Sequence, residues 1–226
     1  MAHSVRRHLR LSVEEYDEQI RRFIPGYEEM LGVAADAVAA IAPTLVVDLG
    51  AGTGSLSEAV LRRVERTTVQ LLDVDPEMLE QARHRLGRWG QRAEFLLRSY
   101  DGPLPSCDAC AASLSLHHIP TIEAKASLYS RVFAAVRPGG VFVNADANMP
   151  TSRSERECIY RYWADHMVAC GIPEARAWQH FDEWADEDTY LPLETELTAL
   201  ARAGFEAECV WNDGPQGVVL ARRPHA

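Results

Sequence analysis

The chain has 226 residues, 47% hydrophobic and 25% charged, which suits one α/β domain with a genuine core. A formal net charge of −10 repels a phosphate backbone, so no nucleic-acid partner is expected. No stretch approaches the ~20 apolar residues of a membrane span, and the basic segment 1–10 has no apolar run behind it, so neither a span nor a secretory signal is expected.

Ser12 and Glu15 form a capping-box pattern that opens a first helix, which runs to Phe23. Pro25-Gly26 breaks it, and a second helix continues to about Ala40. Leu45-Val46-Val47-Asp48-Leu49 then reads as a short buried strand, followed by a glycine loop and a helix through Val64. Residues 68–72 make a second strand; Asp75 and Pro76 open the next helix as N-cap and first helical residue, and it ends near Gly87. Residues 93–97 and 108–114 are the third and fourth strands. A helix over 121–136 stops at Pro138-Gly139-Gly140, and Val141-Phe142-Val143 is the fifth strand. This alternation argues for a parallel sheet with right-handed crossovers.

The regularity ends at Pro150. Residues 150–192 read as a helical insertion rich in aromatic residues, among them Tyr160, Tyr162, Trp163, Trp178, Phe181 and Trp184. Its acidic run, Asp182, Glu183, Asp186, Glu187 and Asp188, is either a solvated face or, with the tryptophans, a receptor for a cationic acceptor such as an amine. A last helix over 193–203 ends at Gly204, and strands at 206–211 and 218–221 flank the turn Asn212-Asp213-Gly214-Pro215 as antiparallel neighbours. The expected architecture is a single Rossmann-like α/β domain over 1–226. It has a seven-stranded sheet with an antiparallel last strand, a helical lid at 1–42, a core at 43–149, a helical cap at 150–192 and a closing helix and hairpin at 193–226.

Five cysteines form no regular framework, which fits a reducing cytoplasm. Cys107-Asp108-Ala109-Cys110 has C-x-x-C spacing, but residues three apart on a strand face opposite sides, and no second pair completes a zinc site, so no metal is expected. Lys125 is the only lysine; the arginine bias matches a GC-rich bacterial coding preference.

The strongest chemical signal is Val46-Val47-Asp48-Leu49-Gly50-Ala51-Gly52-Thr53-Gly54, in which a strand end is followed by three glycines at alternate positions and a helix. Glycine lets the main chain take positive φ and lets a ligand lie against bare backbone, the arrangement of a nucleotide site at the carboxyl end of a first strand. A dinucleotide fingerprint would need its third glycine where Ser55 stands, and no lysine follows to make a phosphate loop. Asp73, ending the second strand, can accept both ribose hydroxyl hydrogens.

In order along the chain, these segments resemble the motifs of the class I S-adenosylmethionine (SAM)-dependent methyltransferases. Val46 to Gly54 looks like their first motif and Leu72-Asp73-Val74-Asp75-Pro76-Glu77-Met78-Leu79 like their second. Ser113-Leu114-Ser115-Leu116-His117-His118-Ile119 resembles the stretch after their fourth strand, and Val136 to Val143 the loop and strand that follow. The resemblance implies SAM as cofactor, S-adenosylhomocysteine as product and methyl transfer to a small-molecule acceptor. On it, the cofactor-binding residues are Tyr16, Arg21, Tyr27, Asp48, Gly50, Ala51, Gly52, Gly54, Asp73, Val74, Met78, Ser113 and Leu114. Adenine contacts fall around Ser99, Tyr100 and Asp101, where Ser99 replaces the family's acid. A narrower likeness, in Tyr16-Asp17, residues 20–27, Leu193-Glu194 and residues 203–205, is to the branch that includes carboxy-SAM synthase. That enzyme modifies the cofactor itself with a carboxyl donor. A non-catalytic SAM-binding protein is the third reading.

His117 and His118, where the fourth strand opens onto the cofactor, are the candidate catalytic residues, as base or acceptor contact; each could instead pack under the loop or cap the next helix. Asp146, Trp163, His166 and His180 are candidate acceptor residues. A monomer or homodimer in the cytoplasm is expected.

Overall fold

The computed structural model describes residues 13–225; Ser12 of the expected capping box and the basic segment 1–10 lie outside them. Helices α1 (Val13–Phe23) and α2 (Tyr27–Ala39) meet at Pro25-Gly26. Then follow β1 (Leu45–Leu49), α3 (Ser55–Arg63), β2 (Thr68–Asp73), α4 (Pro76–Leu86), β3 (Ala93–Leu97), β4 (Cys107–Ser113), α5 (Ile122–Ala135) and β5 (Val136–Ala147). The insertion contains α6 (Arg153–Ala169) and α7 (Glu174–Trp184), and α8 (Leu193–Ala203), β6 (Glu206–Asp213) and β7 (Gln216–Arg222) close the chain.

The strands form one seven-stranded sheet in the order β3-β2-β1-β4-β5-β7-β6. Neighbours from β3 to β5 are parallel, and β7 runs antiparallel to both β5 and β6. The short turn at Gly214 allows only antiparallel pairing of β6 with β7, because a parallel partner needs a long crossover. β1 is buried at every position but its first, as a strand covered on both faces must be.

Two cores result. Met30, Ala34, Val46, Leu71, Leu79, Val143 and Trp163 pack with α1–α4, α6 and α7. Val47, Leu49, Leu128, Tyr129, Phe142 and Leu200 pack with α5 and α8 on the opposite face. Each such buried side chain contributes roughly 1.5–3 kcal/mol. In the second core, buried Lys125 and Tyr129 on α5 both donate to Glu196 on α8, so the one lysine is a fully paired internal charge. Among the described residues, no helix is long and apolar enough to cross a membrane.

Two local expectations are corrected. Helix α5 stops at Ala135, and Val136 already pairs with Cys107, so Pro138-Gly139-Gly140 lies inside β5, as an irregularity in its register with β4. The strands approach so closely there that a Cβ on Gly140 would stand 2.3 Å from the Asp108 carbonyl oxygen. Pro138 suits such a site because it offers no N–H to a ladder. Cys107 and Cys110 do not face opposite sides: both pack into the core under α5 and α8, Cys107 being the first residue of β4, where the register shifts. Burial pushes the Cys107 thiol up to about 12 and raises Cys110 as well, so both are protonated packing residues.

Candidate active site

Strand β1 sits between β2 and β4, the switch point of the parallel sheet, and a cavity opens beyond the carboxyl ends of these strands. It encloses about 1230 Å³ of empty space, its open mouth included. The floor is main chain. Gly50 and Ala51 N–H donate to the Leu72 carbonyl at 2.8 and 3.0 Å, which clamps the loop to β2. Gly50 has φ +66° and Gly52 φ +54°, conformations that side chains resist. A Cβ on Gly50 would stand 2.7 Å from that of Ser115, whereas one on Gly52 would meet nothing nearer than the Met78 methyl at 4.0 Å. At Gly52 the backbone is therefore bare toward the cavity.

Asp73 locks this floor. Its Oδ2 accepts from Gly52 N–H and its Oδ1 from Asp75 N–H, each at 2.8 Å. Burial raises its pKa against the pull of these N–H groups. A carboxylate oxygen can accept a second hydrogen bond, so Asp73 retains capacity for a vicinal diol. Asp75 caps α4, accepting from Glu77 and Met78 N–H. Asp48, 2% exposed, accepts from the Ser57 hydroxyl at 2.6 Å. Burial, outweighing that bond, pushes its pKa up to about 7. Val74, Met78, Tyr100, Ser113 and Leu114 line the same end. Among the described lining residues there is no lysine or arginine. Bare main chain, an acid with spare acceptor capacity and no cation for a phosphate fit an adenosyl amino acid.

The roof comes from α1, α2, α6 and α7 through Tyr16, Phe23, Tyr27, Trp163 and Trp184. Asp17 pins α1 to the glycine loop: it accepts from the Thr53 hydroxyl at 2.7 Å and pairs with Arg85, whose Nε donates to the Thr53 carbonyl at 2.8 Å. Trp163 Nε1 donates to the Phe23 carbonyl at 2.5 Å, joining cap to lid. Burial raises the Tyr16 phenol and pushes Tyr27 up to about 12, so both stay protonated at neutral pH.

The far end is a polar cluster. Asp146, at the end of β5, accepts from Leu116 and His117 N–H at 3.0 Å each, from Ala147 N–H at 2.9 Å, and lies 2.5 Å from His117 Nδ1. His117 Nε2 lies 3.7 Å from Asp188 Oδ1, and His118 Nδ1 lies 3.0 Å from the same oxygen. The Tyr190 hydroxyl donates to Asp188 Oδ2 at 2.5 Å, and Thr189 N–H donates to the His117 carbonyl at 2.7 Å. Burial opposes charge on His117, but Asp146 and then Asp188 outweigh it and raise the imidazole pKa; His117 in turn lowers that of Asp146 despite burial. Leu114, a non-glycine residue at φ +48°, makes the turn that delivers these histidines. Neither histidine caps a helix, since Thr121 does so for α5.

Most expected cofactor residues thus meet around one cavity, as do His117, His118 and Trp163. Others lie elsewhere. Arg21 is exposed and pairs with Glu28; Gly54 lies under the loop against Leu71, Leu86 and Ala82; Ser99 and Asp101 bond to each other in a surface turn. Asp146 sits behind His117 and does not line the cavity. His166 approaches the Arg21 carbonyl, and His180 stacks on Trp184 with its pKa pushed down to about 4 by burial and Arg176. Of the acidic run, only Asp188 reaches the cavity. Sequence reasoning missed Asp17, Arg85 and Tyr190; an arginine on α4 spaced to face the loop was the available signal for Arg85.

A methyltransferase-domain family model matches residues 47–142. An uncharacterized methyltransferase of Geobacillus kaustophilus is 28% identical over 203 residues, covering 87% of this chain and 83% of the relative. A carboxy-S-adenosyl-L-methionine synthase of Chromohalobacter salexigens is 26% identical over 208 residues, covering 87% and 75%. An O-methyltransferase family protein from Burkholderia thailandensis shares the fold, with a TM-score of 0.71 at 17% identity over 95% of this chain. The present chain spans 60% of that protein's length.

Proposed function

We propose, from the premise that this chain is a class I SAM-dependent methyltransferase with SAM as its cofactor, that it methylates a small-molecule acceptor bound at the His117–His118–Asp188 end of the cavity. The observation that carries this reading is the joining of two unlike ends in one enclosed space: bare main chain beside Asp73, and a polar cluster across from it. The cofactor supplies an electrophilic methyl group on a sulfonium, open to in-line displacement by a nucleophile.

The chain's own work is positioning. Gly50, Ala51, Gly52 and Asp73 hold the adenosyl group, with Asp48, Val74, Met78, Tyr100, Ser113 and Leu114 around it. Tyr16, Tyr27, Trp163 and Trp184 exclude water from above. His117, its ring fixed by Asp146, and His118 meet the acceptor. Alignment of this kind can supply ~7–11 kcal/mol of a barrier. In this reading residues 1–42 act as lid and 150–192 as acceptor cap, and the enzyme works in the cytoplasm as a monomer or homodimer.

The carboxy-SAM synthase-like alternative has less support. A carboxyl donor calls for a guanidinium or ammonium, and none stands among the described lining residues. The non-catalytic alternative predicts a plugged pocket, and the cavity is open. The test is incubation with methyl-labelled SAM and a panel of alcohols, thiols and amines. Label should pass to at least one acceptor, and His117→Ala should lower that transfer while SAM still binds. Tight SAM binding without transfer to any class would favour the non-catalytic reading, and a carboxylated nucleotide copurifying with the protein would favour the cofactor-modifying one.

A further inference from the structure

We propose that His117 Nε2, His118 Nδ1 and Asp188 Oδ1 form a binding site for a divalent transition-metal ion of the zinc class. One ligand atom from each residue lies within 4.8 Å of the other two. Asp188 Oδ1 is 3.0 Å from His118 Nδ1 and 3.7 Å from His117 Nε2. Metal–ligand bonds of about 2.0–2.2 Å at tetrahedral angles place ligand atoms about 3.3–3.6 Å apart, so the two separations from Asp188 need only small adjustment, and the two imidazole nitrogens, at most 4.8 Å apart, need only draw together around an ion.

The surroundings supply what such ligands require. His117 Nδ1 faces Asp146 at 2.5 Å, which leaves Nε2 toward the cluster and orients the ring as a carboxylate behind a metal-bound histidine does. Tyr190 holds the second oxygen of Asp188 at 2.5 Å, and Oδ1 is the oxygen turned toward the two histidines. The side chains of Asp146 and Asp188 are 2% and 3% exposed. A carboxylate as dry as Asp188 is stabilised by positive charge beside it, which a divalent ion at this position supplies. Imidazole and carboxylate ligands suit zinc, cobalt or nickel better than magnesium or calcium.

Three protein ligands leave a fourth position, and these residues line the cavity. That position would take the acceptor's hydroxyl or thiol, whose proton passes to water as the oxygen or sulfur binds the ion as an anion. This last step rests on the proposed methyl transfer, but occupancy of the site does not, and the test separates them.

Chelator-treated protein is titrated with Co²⁺ in the absence of SAM, following the visible absorption of the protein-bound ion, and SAM affinity is measured on the same samples. Wild type should take up Co²⁺ in a 1:1 ratio and lose the band when Zn²⁺ is added. His118→Ala and Asp188→Asn should each weaken uptake more than ~10-fold, and Asp146→Asn about 10-fold by freeing the His117 ring. His166→Ala, which removes an imidazole–thiol pair with Cys170 that lies outside the cavity lining, should leave uptake unchanged. No Co²⁺ band in wild type, equal uptake in His118→Ala and Asp188→Asn, or loss in His166→Ala would overturn the site. Intact SAM affinity in those same samples would show that the cofactor reading survives such a failure.

Discussion

The two ends of the cavity are built by different means. At the glycine loop the cavity wall is the main chain of one short segment, locked by a single carboxylate on the neighbouring strand. At the histidine end the wall is made by side chains of the turn after β4 and the stretch after α7, tied together by Asp146 at the end of β5 and by the Thr189–His117 backbone bond. A side chain added to the backbone floor strains the chain, as at Gly50 and Gly52 with their positive φ, whereas a wall of side chains changes with each substitution in it. Under the proposed methyl transfer, the donor half is the part held by backbone and the acceptor half the part held by side chains.

Substitutions that discriminate between the halves test this contrast. The largest effect is expected of Gly52→Val, which puts a branched side chain at φ +54° and into the cavity. SAM affinity should fall by on the order of 100-fold or more, with thermal melting recorded beside it. Normal binding by this variant would contradict the backbone floor. Asp73→Ala should weaken SAM binding about 10–100-fold by calorimetry, since it removes charge-assisted acceptors and frees the Gly52 N–H. Unchanged affinity would remove Asp73 from the site.

A pH effect on stability sharpens the donor side further. The folded Asp48 carboxyl has its pKa pushed up to about 7, above the ordinary value of 3.8. Between about 4 and about 7 the folded chain therefore holds a proton that the unfolded chain has released, and stability falls as pH rises through that window. Asp48→Asn should flatten this slope, by on the order of 1 kcal/mol for each pH unit of the window in unfolding experiments. An equally steep slope in the variant would show that Asp48 is ionised throughout. The smallest effect is expected of Tyr190→Phe at the acceptor end: SAM affinity within about twofold of wild type while transfer slows. A large loss of SAM affinity would mean that the two ends are not separate.

The same contrast explains what the sequence disclosed. The glycine loop, Asp73 and the Asp75 cap are local patterns, each readable within a few residues, and the strand–helix alternation that positions them follows from short-range periodicity. Cys107 and Pro138 were misread because a register irregularity between β4 and β5 depends on partners that no local window contains. Asp188 stood in the sequence as one acid among five, and nothing nearby marked it as the member that turns inward; its partners His117 and His118 are on another element. Asp17 was equally hidden, since its role comes from Thr53 and Arg85 across the fold.

A crystal structure of the protein with S-adenosylhomocysteine tests the central claim most directly. The ribose hydroxyls should lie on Asp73, the homocysteine backbone along residues 50–52 and the thioether sulfur turned toward His117 and His118. A nucleoside bound elsewhere, or bound here with its sulfur turned away from the histidines, would contradict it.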